Sequence, residues 1–185
     1  YKIDMSTFKI EDHYTLLTDY EGNSLRTFYI DKKGYIWFGT IDGIYIFDPT
    51  DGKLSHYKHS RTDPFSLPNN SIWEISEDRQ SNVWIGTYSG TLCYVNIDEN
   101  NAFKTYHPQN SGLNHTPVSA FAEDQQYLWV GTEGGGINRM NKATGEFSYI
   151  TSANSITSNN IKSLITDAGH NLWISTFMGG LDLYN

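Results

Sequence analysis

The chain has 185 residues, a length that supports one domain with a packed core. Its 13 tyrosines, 9 phenylalanines, 5 tryptophans and 16 glycines combine strand formers with turn formers, which indicates an all-β protein. The net charge of −8 argues against nucleic acids and anionic membranes as partners, since both require a basic surface. The single cysteine, Cys93, excludes an intramolecular disulfide, and no run of 18 apolar residues exists that could span a bilayer.

The first predicted element is a strand at Thr7–Glu11. Its Phe8 precedes Leu25 by 17 residues, and similar intervals separate Leu54 from Ile72, Phe103 from Val118, and Phe147 from Ile161. Asp4 stands in phase with residues that each end a later strand, namely Asp48, Asn96, Asn141 and Asn185. The segment therefore predicts the fourth strand of a repeated unit whose first three strands are absent, and we expect it to find a strand partner.

Four repeated units follow. Each begins with a strand A that has two apolar residues and a closing acid at intervals of three: Leu25-Phe28-Asp31, Ile72-Ile75-Asp78, Val118-Phe121-Asp124 and Ile161-Leu164-Asp167. A turn leads to strand B, which carries the phrases Ile36–Thr40, Val83–Thr87, Leu128–Thr132 and Leu172–Thr176. The tryptophans of these phrases lie 47, 45 and 44 residues apart. Both faces of strand B are apolar, which predicts a strand buried between neighbouring sheets.

Strands C and D complete each unit. A glycine-containing hairpin leads to strand C at Ile44–Phe47, Leu92–Val95, Ile137–Met140 and Leu181–Tyr184. Strand D follows at Lys53–Tyr57, Ala102–Tyr106 and Glu146–Ile150, and its alternating pattern is typical of an outer, half-exposed strand. Four antiparallel strands repeated about every 45 residues predict β-propeller blades, with each tryptophan between two blades. A β-sandwich with accidental internal similarity is the alternative.

The domain prediction is a single β-propeller region over residues 1–185. Its repeats fall at approximately 5–48, 49–96, 97–141 and 142–185, so the chain begins and ends at the same point of the repeat. Two interpretations remain open. The N-terminal strand D pairs with the C-terminal strand C and closes a four-bladed ring, or the chain is a segment of a larger propeller, which we favour.

The motif of strands A to C resembles a known family. The phrase D-x-x-G-x-I-W-F-G-T-x-x-G-I from Asp31 to Ile44, and its equivalents from Asp78, Asp124 and Asp167, resemble the two-component regulator propeller repeat. The preceding loops at residues 67–72 and 158–161 are similar to the family's L-P/S-N-N-x-I segment. The chain departs from the motif where Ser175 replaces the strand-B glycine, where the first B–C hairpin is one residue short, and where the turn after Asp124 lacks glycine.

The resemblance implies a fold, a location and a role. Such repeats build seven-bladed propellers in the periplasmic sensor regions of hybrid two-component systems, in which a histidine kinase lies on the same polypeptide. The family implies sensing of glycan fragments, other blades or domains of the same sensor as partners, and a homodimer of the full-length protein. No kinase motif is present, so this segment is expected to be non-catalytic, without cofactor and without membrane contact.

Residues that recur in every unit are expected to serve the fold. The acids Asp31, Asp78, Asp124 and Asp167 are predicted to bond turn amides, and the threonines Thr40, Thr87, Thr132 and Thr176 are also predicted to be structural. The six histidines lack zinc-site spacing, so no metal site is predicted.

A binding site is expected where in-phase residues differ between units. The B–C hairpins carry Asp42, Tyr88, Glu133 and Phe177, whose aromatic rings and carboxylates suit sugar rings and hydroxyls; ordinary exposed hairpin tips are the alternative. Strand A contributes Arg26, Trp73, Ser119 and Lys162 in one phase, and Trp73 either lines the central channel or packs between blades. From these positions the predicted ligand-binding residues are Asp42, Tyr88, Glu133, Phe177, Trp73 and Arg26.

Three functions compete. The favoured one is a sensor propeller that binds a ligand, with an oligosaccharide as the expected ligand. The second is a structural or dimerisation scaffold with the ligand bound elsewhere. The third is a propeller lyase or hydrolase, for which strand A lacks the expected cluster of His, Asp or Glu.

Overall fold

A computed structural model describes residues 2–12, 24–88, 91–96, 102–106 and 111–185. Within these ranges lie 17 strands in five antiparallel sheets. The first sheet holds β1 (Lys2–Asp4) and β2 (Lys9–Asp12). The second holds β3 (Leu25–Ile30), β4 (Ile36–Thr40), β5 (Gly43–Phe47) and β6 (Leu54–Tyr57). The third holds β7 (Ile72–Glu77), β8 (Val83–Thr87), β9 (Leu92–Val95) and β10 (Lys104–Tyr106).

The remaining strands form two further sheets. One holds β11 (Val118–Glu123), β12 (Tyr127–Thr132), β13 (Ile137–Asn141) and β14 (Phe147–Ile150). The last holds β15 (Ile161–Thr166), β16 (Leu172–Thr176) and β17 (Gly180–Tyr184). In every sheet the strands are hydrogen-bonded in chain order, and the innermost strands β3, β7, β11 and β15 lie side by side. This is the arrangement of propeller blades, so the predicted fold class is confirmed.

The fourth predicted unit differs from the other three. Its sheet has three strands in the described part of the chain, whereas the sheets that begin at β3, β7 and β11 have four. The N-terminal strand β2 is hydrogen-bonded to β1 and not to β17. The described residues therefore form an open series of blades rather than a ring closed by the N-terminal strand.

The N-terminal strand does find a partner, as predicted, but a local one. Antiparallel pairing joins Asp4 to Lys9 and Ile3 to Ile10, so Lys2–Asp4 takes the place of strand C. The expectation that the first three strands of this unit are all absent is thus wrong. The Asp4 carboxylate accepts hydrogen bonds from Ser6 and Thr7, which lower its pKa from 3.8 to about 2.

The core lies in the seams between consecutive sheets. Trp37 packs with Ile75, Val83 and Ile85 of the next sheet, Trp84 with Phe121 and Val130, and Trp129 with Leu164 and Ile174. Trp37, Trp84 and Trp129 are buried, whereas Trp173 of the last sheet is half-buried. Since each sheet packs on the next and no two sheets enclose a single core, the β-sandwich alternative is wrong.

The repeated aspartates tie the A–B turn to the tryptophan. The indole Nε1 atoms of Trp37, Trp84, Trp129 and Trp173 donate to the second carboxylate oxygen of Asp31, Asp78, Asp124 and Asp167 at 2.8–2.9 Å. The first oxygen of each carboxylate accepts two backbone N–H bonds from the following turn. The structural role predicted for these acids is confirmed, and the indole bond adds a second function to each.

The repeated threonines close the B–C hairpins. The hydroxyls of Thr40, Thr132 and Thr176 donate to the carbonyls of Gly43, Gly136 and Gly180. The hydroxyl of Thr87 donates to the carbonyl of Thr91 and accepts from its N–H. Their predicted structural role is confirmed.

The strand-B glycines allow neighbouring sheets to approach closely. A Cβ atom at Gly39 would lie 2.7 Å from a side-chain carbon of Ile72, at Gly86 2.8 Å from the carbonyl oxygen of Val118, and at Gly131 2.6 Å from Ile161. All three neighbours begin strand A of the next sheet. Ser175 stands in this phase in the last sheet, and its hydroxyl lies 2.9 Å from that of Ser163 in the same sheet.

The two ends of the series expose apolar side chains. Strand β3 exposes Leu25, Phe28 and Ile30 by 49%, 65% and 57%. The last sheet exposes Ile165, Leu181 and Leu183 by 65%, 64% and 50%. No helix in the described ranges has the length and apolar composition needed to cross a bilayer.

Candidate functional site

The loops between strands D and A and the hairpins between strands B and C lie together at one end of the blades. Backbone N–H groups of hairpin residues Tyr88 and Phe177 donate to the carbonyls of Ser71 and Asn160, which precede strand A of the same sheet. Those of Gly43 and Gly134 donate to Asn70 and Asn159, which precede strand A of the next sheet. These bonds join loops of adjacent blades into one surface, called here the loop face.

A β-bulge opens every strand A on this face. The pairing register shifts between Leu25 and Thr27, between Ile72 and Glu74, and at the equivalent points of β11 and β15. The residues left out of the ladder are Arg26, Trp73, Ser119 and Lys162, the in-phase set found in the sequence. A bulge bends the strand and re-aims the extra side chain, and bulges are frequent beside binding sites.

Three predicted site residues form one cluster, which we call the Arg26 cluster. Trp73 and Tyr88 stack with ring centroids 5.4 Å apart and an interplanar angle of 29°. The Arg26 guanidinium carbon lies 5.0 Å from the Trp73 ring centroid and 6.0 Å from that of Tyr88. Tyr88 is 51% exposed, so the cluster opens to solvent. Trp73 lies part-buried against Tyr88 at the loop face, and Arg26 reaches it from the preceding blade.

Two other predicted residues form a second cluster around Lys162. The Lys162 ammonium forms an ion pair with Glu133 of the preceding blade. It also lies 5.4 Å from the ring centroid of Phe177, which is 52% exposed. The charges of this cluster are therefore balanced internally.

Asp42 stands apart from both clusters. Its Oδ1 atom is 2.6 Å from the Lys58 ammonium, and its backbone carbonyl is 2.8 Å from Nε2 of His56, which stacks on Tyr45. The bulge residue Ser119 is buried, and its hydroxyl donates to the carbonyl of Ile161. Five of the six predicted ligand-binding residues therefore belong to the two clusters, and Asp42 lies outside both.

Glu74 was not identified from the sequence. It follows Trp73 and pairs with Gly86 across the ladder, and burial raises the pKa of its carboxyl from 4.5 to about 7. The residues at the equivalent position of the other three units are Thr27, Ala120 and Ser163, which are uncharged. Glu74 is the one charged residue at this position, and this difference is the sequence signal that could have identified it.

No constellation typical of a metal site is found in the described part of the chain. Three or more His, Cys, Asp or Glu side chains do not converge on one point there. His13 and His107 lie outside the described residues. What the loop face does offer is aromatic rings, cations and part-buried carboxyls.

The sheet order and the interblade tryptophans define a β-propeller repeat protein. The two-component regulator propeller family model matches residues 19–42, 66–89 and 112–134. The chain is similar to the two-component regulator propeller repeat at these three places. Residues Arg26, Asp42, Trp73, Tyr88 and Glu133 all lie within the matched ranges.

Solved structures share this fold at low sequence identity. The extracellular domain of the candidate hybrid two component system BT3049 from B. thetaiotaomicron is 22% identical, with a TM-score of 0.79, over 95% of this chain and 24% of that one. That of the candidate one component system BT4673 from the same organism is 22% identical, with a TM-score of 0.59, over 86% of this chain and 27% of that one.

A computationally designed protein, Ika4, is also similar in fold. It is 14% identical, with a TM-score of 0.63, over 90% of this chain and 93% of that one. This chain spans about a quarter of the length of the two B. thetaiotaomicron domains. No curated protein matches the sequence.

Proposed function

We propose that this chain is a non-catalytic, ligand-binding propeller segment of an extracytoplasmic two-component sensor. The single observation that carries the proposal is the Arg26 cluster, an open aromatic and cationic surface within repeats of the two-component regulator type. The extracellular origin of the BT3049 and BT4673 domains supports the extracytoplasmic location, with the periplasm as the compartment. Signal relay to a histidine kinase belongs to parts of the protein beyond this segment.

We infer that the ligand is a glycan fragment. Aromatic rings present flat apolar surfaces on which the C–H face of a sugar ring can stack, and charged groups accept or donate hydrogen bonds to hydroxyls. Tyr88 and Phe177 supply two half-exposed rings, and Glu133 and Lys162 supply polar groups beside the second.

Titration with a panel of oligosaccharides tests this proposal. A sugar that stacks on the loop face should quench tryptophan fluorescence, since Trp73 lies in the cluster. Combining Tyr88→Ala with Phe177→Ala should weaken binding by roughly tenfold or more, because each lost aromatic contact contributes about 1 kcal/mol. Phe8→Ala is the matched control, since Phe8 is an exposed ring in the β1–β2 turn. An unresponsive panel, or equal binding by the double variant, would rule the proposal out.

A structural or dimerisation scaffold is the second candidate function. The observation that favours it is the pair of exposed apolar faces at the two ends of the series of blades. In that case the loop face binds no sugar, and the segment functions by association through its end faces.

A further inference from the structure

We propose that the Arg26 cluster is a subsite for an acidic saccharide, with Arg26 pairing to a carboxylate or sulfate group of the sugar. The sugar ring lies against the exposed aromatic surface of Tyr88. This inference rests on the proposed glycan-binding function and specifies the chemical class of the glycan.

The first argument is the lack of a counter-charge for Arg26. Among the residues that the structure describes, no carboxylate lies within ion-pairing distance of its guanidinium, although Arg26 is exposed on the loop face. The lysines beside the two acidic hairpin residues are neutralised, Lys58 by Asp42 and Lys162 by Glu133. Arg26 is therefore the cation of these clusters that is left to bind an anion.

The second argument is the position of the guanidinium. It lies over the rings of Trp73 and Tyr88, at 5.0 and 6.0 Å from their centroids. A stacked guanidinium uses its flat face for the aromatic contact and leaves the N–H donors on its edge available. These donors form a rigid fork that matches the two oxygens of a carboxylate or sulfate. Stacking also restricts the side chain, so less conformational entropy is lost when the anion binds.

The third argument is the position of the cluster in the fold. Arg26 and Trp73 are both bulge residues, and they belong to adjacent blades. Cation and ring therefore meet across a seam, where loops of two blades are joined by the bond from Gly43 N–H to the Asn70 carbonyl. An inorganic anion would need the guanidinium alone, whereas a ring that carries an anionic group would use the guanidinium and the exposed tyrosine together.

The overall charge limits the size of this ligand. A net charge of −8 repels a long polyanion, so a short saccharide with one or two acidic groups fits better than an extended acidic polymer.

Calorimetric titration of the whole chain tests the inference. Short saccharides that contain a uronic acid, their sulfated equivalents and the neutral sugars of the same skeleton are compared, together with inorganic sulfate. We expect an acidic form to bind roughly tenfold or more tightly than its neutral equivalent, because charge-assisted hydrogen bonds are the stronger ones. The uronate and sulfate arms identify which oxyanion is preferred.

Substitutions test whether Arg26 causes the preference for the acidic sugar. Arg26→Gln should abolish the preference for the acidic sugar over its neutral equivalent, and Arg26→Lys should retain part of that preference. Arg139→Gln is the matched control, because Arg139 also stacks on a tyrosine and a tryptophan, 4.6 Å from the Tyr127 centroid and 5.8 Å from that of Trp129. Thermal unfolding of each variant verifies that it folds.

The outcomes separate this inference from the proposed function. Equal binding of neutral and acidic sugars overturns the acidic subsite and leaves glycan binding standing. An acidic preference that survives in Arg26→Gln overturns the assignment of Arg26. Inorganic sulfate that binds as tightly as the acidic sugar overturns the saccharide class, and a complete lack of sugar binding overturns both proposals.

Discussion

The repeated aspartate is the residue that most directly links sequence and fold. Asp78 is 3% exposed, yet both oxygens of its carboxylate accept hydrogen bonds. Its Oδ1 atom accepts N–H bonds from Gln80 and Asn82, and its Oδ2 atom accepts from the Trp84 indole and the Asn82 amide. A buried carboxylate is tolerated when its oxygens are satisfied in this way. The same carboxylate fixes the turn and the rotamer of the interblade tryptophan.

Replacing this carboxylate should therefore destabilise the protein. We expect Asp78→Asn to lower the free energy of unfolding by about 3 kcal/mol, because an amide has one acceptor oxygen and places an N–H₂ group against other donors. Urea denaturation measures the loss. Asp51→Asn is the control, since the exposed Asp51 carboxylate accepts one bond, from Lys53 N–H, and a change there should cost well under about 1 kcal/mol. Equal losses for both variants would contradict the anchoring role.

At the scale of the element, close packing between neighbouring sheets depends on the strand-B glycine, which has no side chain. The strand-B glycine lies against the first residue of strand A in the next blade, with the Cβ position of Gly86 only 2.8 Å from the Val118 carbonyl oxygen. A backbone atom cannot rotate away as a side chain can. The last sheet carries Ser175 at this position, where no further sheet is described on that side.

Adding one carbon at a seam should separate two blades. Gly86→Ala is expected to cost about 1–3 kcal/mol of stability, as overpacking does in other cores. Ser175→Ala is the control, because Ser175 already carries a Cβ atom at the equivalent position and the change removes only the hydroxyl that pairs with Ser163, which should cost under about 1 kcal/mol. Differential scanning calorimetry of both variants measures the contrast, and a stable Gly86→Ala protein would show that the seam is looser than described.

At the scale of the whole molecule, the series of blades ends in two unlike apolar faces. Phe28 is in phase with Ile75, Phe121 and Leu164, each of which packs with the tryptophan of the preceding blade. The half-buried Trp173 and the exposed Ile165 occupy the complementary side of the last sheet. The β3 face therefore presents the kind of side chains that pack on a tryptophan face between consecutive blades, and the last sheet presents such a tryptophan face.

Such complementary ends should associate head to tail in solution. We expect the isolated chain to form concentration-dependent oligomers in sedimentation velocity, and Phe28→Asp to shift it toward the monomer because the substitution would bury a charge in the contact. Tyr149→Asp alters an exposed ring on β14, away from both end faces, and should leave the association unchanged. A chain that is monomeric at all concentrations would argue against the scaffold function.

The sequence was sufficient for the fold because the repeat supplies four copies of each signal. The tryptophan phrase, the closing aspartate and the hairpin glycine predicted the strands nearly at their observed bounds. The indole–aspartate bond was not predicted, since residues five or six apart are brought together only by the turn between two strands. The short β1 strand was missed because Lys2–Asp4 has too few residues to show a period.

The six candidate ligand-binding residues remain a prediction, and the grouping of their side chains was not predicted from the sequence. Tyr88 and Phe177 are in phase, yet each meets a different bulge residue, Trp73 or Lys162. Pairing across a seam depends on side-chain length and direction, which the order of residues along one strand does not reveal. The bulges themselves have no compositional signal, because the extra residue is arginine, tryptophan, serine or lysine.

The bulges have a consequence for how related propeller repeats diversify. A bulge residue contributes no bond to the ladder, so its side chain can be exchanged while the blade keeps its architecture. Arg26, Trp73 and Lys162 occupy three such sites at the inner strands and are exposed or part-buried, whereas Ser119 is buried. Grafting the residues at positions 26, 73 and 162 onto another array of the same design should carry chemical selectivity with them, leaving the recipient's folding intact.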